Sequence, residues 1–250
     1  MHKISIIIPA HNEEKRIKKT IKTYYDFFHS NAVACKVHAH FIIVLNGCVD
    51  NTLRVIEECS KTRPHISIIN IIESGKGLAV KTGFASALAQ DSEIIGFVDA
   101  DMATSPHYYY DLITHLKNHD SIIASRYMPG SYVSPKRPFV KQWGIKLVYN
   151  SLIRVLFNLN FHDYQCGAKL FKRHVITAIL PHLTTHKWAF DVELLYLCAL
   201  YNFSIHEVPT TWLDQAGSKL NVMGSGIRML YSLFEMKKKH RHITRIIMPK

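Results

Sequence analysis

Residues 4–28 read ISIIIPAHNEEKRIKKTIKTYYDFF, and a change of period inside that stretch decides the fold class. Ile4–Ile8 is a short apolar run rich in β-branched residues. It is apolar on both faces, as a strand covered by helices on both sides must be. From Glu13 to Phe28 the pattern turns helical and amphipathic. The same pair of patterns then recurs. Apolar runs at Phe41–Leu45, Ile66–Ile72, Ile94–Val98 and Ser121–Ala124 alternate with helical stretches at Asp50–Lys61, Lys76–Gln90 and Pro106–Lys117. Asp50 suits the N-cap of its helix, and Pro106 suits a first turn. The alternation predicts a mostly parallel sheet with helices on both faces. Ligands of such sheets bind at the carboxyl ends of the strands, so the residues after each strand are the candidates for function.

The second half is less regular. Tyr127–Pro138, rich in Pro, Gly and Ser, reads as a long loop. Trp143–Phe161 has helical apolar spacing with Lys146 and Arg154 interspersed. It suits either a buried helix or one lying in a membrane interface. Ala189–Tyr201 reads as an apolar helix and Ile205–Val208 as a short strand. Residues 222–240 read as a last helix with Ile227, Leu230, Leu233 and Phe234 on one side, ending in Lys237-Lys238-Lys239-His240-Arg241.

Composition narrows the class. The chain has 250 residues, 48% hydrophobic and 20% charged, which suits a folded core and excludes a disordered chain. Its net charge of +12 is concentrated. Residues 126–187 hold ten Lys/Arg against the single acid Asp163, and residues 219–250 hold eight against Glu235. Two basic blocks on a nearly neutral body favour phosphates or anionic lipid head groups as partners. No apolar stretch is long enough for an ordinary transmembrane helix, and the first residues lack a signal-peptide pattern. The five cysteines are odd in number and scattered, which argues for a reducing compartment. The sixteen histidines show no zinc-binding spacing, and His38 and His40 read as a surface pair.

Four constellations sit at successive strand ends. Asp99-Ala100-Asp101 follows the fourth strand. On extended chain both carboxylates point to one side and repel unless a cation joins them, and hard oxygen ligands suit Mg²⁺ or Mn²⁺. Capping the next helix is the competing reading, but one Asp suffices for that. Pro9-Ala10-His11-Asn12-Glu13-Glu14 follows the first strand, and Asn46-Gly47-Cys48-Val49-Asp50-Asn51-Thr52 follows the second. Gly75-Lys76-Gly77 follows the third, where glycines permit close approach to an anion beside Lys76. Neither the P-loop spacing nor Gly-x-Gly-x-x-Gly is present, since position 80 is Val.

The ordered set PAHNEEKR (9–16), NGCVDNT (46–52), GKGLAVKTGF (75–84), DADMAT (99–104), DYQCGAKLF (163–171), WAFDVELL (188–195) and GSKL (217–220) resembles family 2 glycosyltransferases. Within them it is most similar to the dolichyl-phosphate (polyprenyl-phosphate) glucosyl- and mannosyltransferases. The resemblance implies a GT-A-type, Rossmann-like α/β fold over residues 1–220, with 221–250 as a basic amphipathic helix and tail. It implies nucleoside contacts from Pro9, Ala10, Asn12, Glu14 and Asp50. Asn46 stands where the family usually has acid and keeps an amide acceptor for the base. Donor contacts at Lys76 and Gly77 belong to the same set. Asp99 and Asp101 match the metal–diphosphate pair, with Asp101 the direct ligand. Arg126 matches a phosphate-binding arginine, with an ordinary salt bridge as the competing reading. Arg137 or Lys141, and Lys219, are further candidates for the acceptor phosphate. Gln165 and Cys166 match the motif near sugar and acceptor, where Cys166 suits packing better than nucleophilic attack. Asp191 and Glu193 match the place where the family has an acceptor-side carboxylate. Glu193, two residues on, falls on another face, so only Asp191 is expected to point inward.

The chemistry so implied is an inverting displacement. A divalent ion and fixed cations stabilise the leaving diphosphate. The glucosyl branch implies UDP-glucose as donor, and a polyprenyl phosphate acceptor is ionised and needs no strong base. GDP-mannose as donor, or a glycan hydroxyl as acceptor, is the alternative; a hydroxyl needs a base within reach. The lipid acceptor implies a cytoplasmic protein peripheral to the cytoplasmic face of a membrane. A nucleic-acid binder is disfavoured, because the aromatics fall at apolar helical positions instead of among exposed Lys/Arg.

Overall fold

The computed structural model describes residues 2–135, 149–187, 189–214 and 222–241, and of 222–230 the backbone alone. Arg137, Lys141, Trp188 and Lys219 lie outside the described residues. The elements run β1 (His2–Ala10), α1 (Ile17–Phe28), α2 (Asn31–Ala34), β2 (Val37–Asn46), α3 (Thr52–Ser60), β3 (Ile66–Ile71), α4 (Lys76–Ala89), β4 (Ile94–Phe97), α5 (Pro106–Leu116) and β5 (Ser121–Ser125). After them come β6 (Tyr132–Ser134), α6 (149–157), β7 (Lys169–Lys172), α7 (Arg173–Ile179), α8 (Phe190–Leu200), β8 (Ile205–Pro209), β9 (Thr211–Leu213) and α9 (Val222–Lys239).

Seven strands form one sheet in the order β3-β2-β1-β4-β7-β5-β8. All neighbours are parallel except β7, which runs antiparallel between β4 and β5. The order steps outward from β1 to β3 on one side and from β4 onward on the other, so the switch point lies between β1 and β4. That crevice is where a ligand of such a sheet is expected. Separate apolar layers cover the two faces. One holds α1, α3 and α5 side chains such as Ile17, Tyr24, Ile56 and Leu112. The other holds α4, α7 and α8 side chains such as Phe84, Ile176 and Leu194. A third cluster joins Ile153 and Phe157 of α6 to Val192 and Leu195 of α8 and to Leu233 and Met236 of α9.

Four local expectations are corrected. β7 lay hidden inside the motif DYQCGAKLF, where four strand residues are too few to show a period. The expected loop 127–138 contains β6, which pairs in parallel with β9. β3 is an edge strand and only half-buried, and Ile72 beyond it is exposed, because among the described residues no further strand covers that side. The helix expected to reach Phe161 ends at Phe157. Asn158 turns left-handed there at φ +53°, a conformation that Asn tolerates. Ile153 of that helix is fully buried and Val155 is exposed, so α6 is a core helix with one open side.

Candidate active site

The β1 and β2 ends are laced together. The Asn46 amide donates to the Ala10 carbonyl at 2.8 Å, and its Oδ1 accepts the Gly75 N–H at 3.0 Å. Asn12, at φ +55°, accepts the Val49 N–H at 2.9 Å. Glu14 donates its backbone N–H to Asp50, and its carboxylate accepts from Asn51. Asp50 also accepts the Thr52 N–H at 3.0 Å, so it ties down the first turn of α3 from one residue before the Asn51 cap. These bonds fix a rigid floor beside Pro9 and Ala10. Asn46 is buried and acts as a strut between three strand ends, with one of the two lone pairs of its Oδ1 engaged by Gly75.

The anion cradle expected at Gly75-Lys76-Gly77 is corrected as well. The N–H groups of Gly77 and Leu78 donate to the His186 carbonyl, at 3.0 and 3.4 Å. A Cβ on Gly77 would lie 2.6 Å from the Thr185 carbonyl oxygen and 2.8 Å from Phe190 Cβ. The glycines let segment 183–186 and α8 close over the start of α4, and the backbone there is not open to an anion.

What opens onto the crevice is charge. Lys76 Nζ lies 2.8 Å from Asp99 Oδ1 and 3.7 Å from Asp191 Oδ2. Lys169 Nζ lies 2.6 Å from Asp191 Oδ1 and donates to the Cys166 carbonyl at 2.6 Å. Both ammonium groups sit over the Phe97 ring, at 5.5 and 5.4 Å from its centroid. The result is a ladder Asp99–Lys76–Asp191–Lys169 of alternating sign. Burial acts against the charges of Asp191 and Lys76. It pushes Asp191 up, but Lys169 and Lys76 outweigh it and hold the carboxyl below the usual range. Burial likewise pushes Lys76 down, and Asp191 and Asp99 outweigh it, raising the ammonium. Asp101 differs. It has no cation of its own at contact distance among the described residues, and burial, then the Asp99 charge, raise its pKa. One oxygen caps the Ala103 N–H at 3.0 Å.

These carboxylates suit a hard divalent ion. Gly167 leaves space at Asp99: a Cβ there would come within 1.9 Å of Asp99 Oδ2. Negative charge at Asp101 is under-compensated, which is the condition a cation relieves. Among the described residues no three His, Cys, Asp or Glu side chains converge as a metal cage. The protein would therefore offer two carboxylates and leave other positions to ligand oxygens, as Mg²⁺ sites usually do.

Arg126 forms a fork with Asp163, Nε to Oδ2 at 2.7 Å and Nη2 to Oδ1 at 2.9 Å, and lies 4.9 Å from the Trp212 ring centroid. Its side chain is 12% exposed. The ion pair expected as the competing reading is present, with Nε and Nη2 both engaged by Asp163. Asp163 also accepts the Gln165 N–H at 3.1 Å, so the pair holds the turn that carries Gln165.

The model of glycosyl transferase family 2 matches residues 5–180. The chain belongs to glycosyl transferase family 2. This family 2 glycosyltransferase is 29% identical over 247 residues to a dolichyl-phosphate beta-glucosyltransferase of Dictyostelium discoideum, covering 95% of this chain and 74% of that protein. It is 30% identical to one of Drosophila melanogaster, covering 92% and 73%. Among solved structures, glucosyl-3-phosphoglycerate synthase of Mycobacterium tuberculosis, in complex with Mn²⁺, UDP and glucosyl-3-phosphoglycerate, shares the fold. Its TM-score is 0.69 at 16% identity, over 94% of this chain and 80% of that one.

In the glycosyltransferase, one expectation about α8 fails in an informative way. Asp191 and Glu193 are both buried. They serve different partners: Asp191 meets the lysines, and Glu193 meets Thr184, Thr185 and His240. Cys166 is fully buried, with its thiol pushed up to about 12 by burial and by Asp163, which suits packing. Sequence reasoning missed Lys169, although a single charge inside CGAKLF was a usable signal. It also missed Phe97, whose ring only the strand register reveals, and Gly167. Tyr149 was missed too: its hydroxyl is buried in the field of Asp191 with no hydrogen-bond partner among the described residues.

Proposed function

We propose that this glycosyltransferase moves glucose from UDP-glucose to a dolichyl or polyprenyl phosphate, with inversion and with Mg²⁺ or Mn²⁺ at Asp99 and Asp101. The observation that carries the acceptor class is the double ion pairing of Asp191. A carboxylate lowered by two lysines is a weak base. It suits an acceptor that arrives already ionised and disfavours a hydroxyl, which must lose a proton. The relatives named for dolichyl phosphate and glucose support the same choice.

In this reading Pro9, Ala10, Asn12, Glu14 and Asp50 line the nucleoside, and Lys76 faces the donor diphosphate. The ion, when bound, supplies charge neutralisation to the departing diphosphate. A phosphate oxygen of the acceptor forms the new bond to sugar C1 as the bond to UDP breaks, and the electron pair leaves on UDP. Asp191 orients acceptor or sugar, with the Tyr149 hydroxyl beside it. Gln165 lies on the turn held by Arg126 and Asp163. Residues 1–220 form the catalytic domain. Binding of acceptor phosphate and lipid head groups, on the cytoplasmic side of a membrane, is assigned to the basic residues of 221–250 together with Arg137, Lys141 and Lys219. Among the described residues no helix is long and apolar enough to cross one. Exposed Tyr231, Phe234 and Lys237–Lys239 of α9 suit seating on its surface.

The test supplies labelled UDP-glucose, Mn²⁺ and polyprenyl phosphate, then extracts the lipid. Labelled lipid that disappears with EDTA is expected. GDP-mannose run in parallel tests the other donor, and a free glycan the hydroxyl acceptor. Label in neither lipid arm would overturn the proposal.

A further inference from the structure

Glu193 is the most heavily bonded carboxylate on α8, and the chemistry above does not use it. It is fully buried and accepts from the Thr184 N–H at 3.0 Å, the Thr184 hydroxyl at 2.7 Å, the Thr185 N–H at 2.8 Å and His240 Nε2 at 2.7 Å. Burial pushes its carboxyl up, and the bonds from His240, Thr184 and Thr185 outweigh that and lower it. His240 is itself buried, with its ring edge-on to Tyr196, and stands just past the end of α9.

The other side of the same segment grips α4. The Leu183 carbonyl accepts from Lys81 Nζ at 2.6 Å. The His186 carbonyl accepts the Gly77 and Leu78 amides. Residues 183–186 are therefore held between the end of α9 and the start of α4. The first residue of α4 is Lys76, whose ammonium joins Asp99 to Asp191.

We propose that Glu193 and His240 are positioning residues that transmit the seating of the C-terminal helix, through residues 183–186, to Lys76 at the mouth of the crevice. A buried carboxylate with several donors holds one geometry, since moving any donor leaves a desolvated group unpaired. The exposed side of α9 carries Tyr231, Phe234 and Lys237–Lys239, so whatever takes hold of that helix also acts on Lys76. The coupling itself is independent of donor identity. Only its kinetic arm rests on the proposed function.

Amide hydrogen exchange on the full chain provides the first test. In His240→Ala, exchange at residues 77–78 and 184–186 should quicken by about tenfold or more, the equivalent of one buried bond lost. The amides of β1 and β4 should keep their wild-type rates. In the kinetic arm, with UDP-glucose and Mn²⁺, KM for the donor should rise more than kcat falls. His240→Gln, whose amide can still donate to Glu193, should restore both readouts. Glu193→Gln keeps the shape, loses the charge and should loosen the same amides. Unchanged exchange at 77–78 in His240→Ala or Glu193→Gln overturns the proposal. So does acceleration spread evenly over the sheet, which marks a merely structural role. Absence of wild-type turnover would sink the proposed function and leave the exchange result decisive for the coupling.

Discussion

Asp101 and Lys169 show how single residues divide between stability and activity. Asp101 carries a raised pKa, from burial and then from Asp99, so its charge opposes folding at neutral pH. Asp101→Asn should therefore raise Tm in the presence of EDTA by a few degrees, since about 1 kcal/mol moves a chain of this size by roughly 2–4 °C. The same variant should lose about 2.7–4 kcal/mol of transition-state stabilisation, by analogy with other electrostatic stabilisers. Mn²⁺ should raise Tm of the wild type and leave the variant unmoved. Differential scanning fluorimetry with and without the metal checks both signs. Lys169 behaves oppositely. It is fully buried, and Lys169→Met strands Asp191 beside Lys76 alone, a change expected to cost about 3–5 kcal/mol. Lys169→Met combined with Asp191→Asn should recover much of that loss in urea unfolding. Full additivity of the two changes would refute the pairing. Asp99 and Asp101 stood out in the sequence as a pair two residues apart after an apolar run, although the chain leaves the strand at Phe97 and turns at Ala100 and Asp101 instead of staying extended. Lys169 could not be assigned, because its partner Asp191 is 22 residues away and on another element.

At the scale of elements, α4 and the segment that covers its start fit closely. Gly77 stands against Thr185 and Phe190 with no space for a methyl group. Gly77→Ala should overpack that contact and cost about 1–3 kcal/mol of stability. It should also weaken donor binding through Lys76, and urea unfolding with a donor titration measures the two together. A variant as stable as wild type would show that the segment yields freely. The glycines were visible in the sequence, yet their purpose was misread. Gly-Lys-Gly at a strand end has the chemistry of an anion cradle, and only tertiary contact shows that the carbonyl of His186 already fills it. Helices such as α1 and α5 were legible because eleven or more residues display a 3.6-residue period, whereas α2 and α7, of four and seven residues, were not read from the sequence. The short strands β6, β7 and β9 display none, and pairing partners alone define them.

For the whole molecule, three buried carboxylates set the response to acid. Asp163, Asp191 and Glu193 all lie below their ordinary values of 3.8, 3.8 and 4.5. In each, burial acts upward and paired cations or hydrogen bonds outweigh it. A depressed carboxyl stabilises the fold fully above the unfolded pKa. That stability is lost as pH falls through the folded value, because the unfolded chain takes up protons first. The unfolding free energy should therefore hold near neutrality and drop between about pH 5 and about pH 3. Urea midpoints across that range measure the drop, and Glu193→Gln should flatten it. A flat profile in the wild type would contradict the pairing of these three carboxylates. The sequence by itself determined the parallel α/β sheet, the family and the carboxylates of its fourth strand end. Each of these is written in neighbours a few residues apart, where periodicity and local geometry act. Only the tertiary structure decided that Lys76 and Lys169 flank Asp191, that Arg126 is closed onto Asp163, and that Glu193 answers to His240. Those pairings join residues from different elements, Lys169 of the antiparallel β7 and Lys76 of α4 to Asp191 of α8, and Glu193 of α8 to His240 past α9. Charges buried at such a junction take whichever counter-charge the packing supplies.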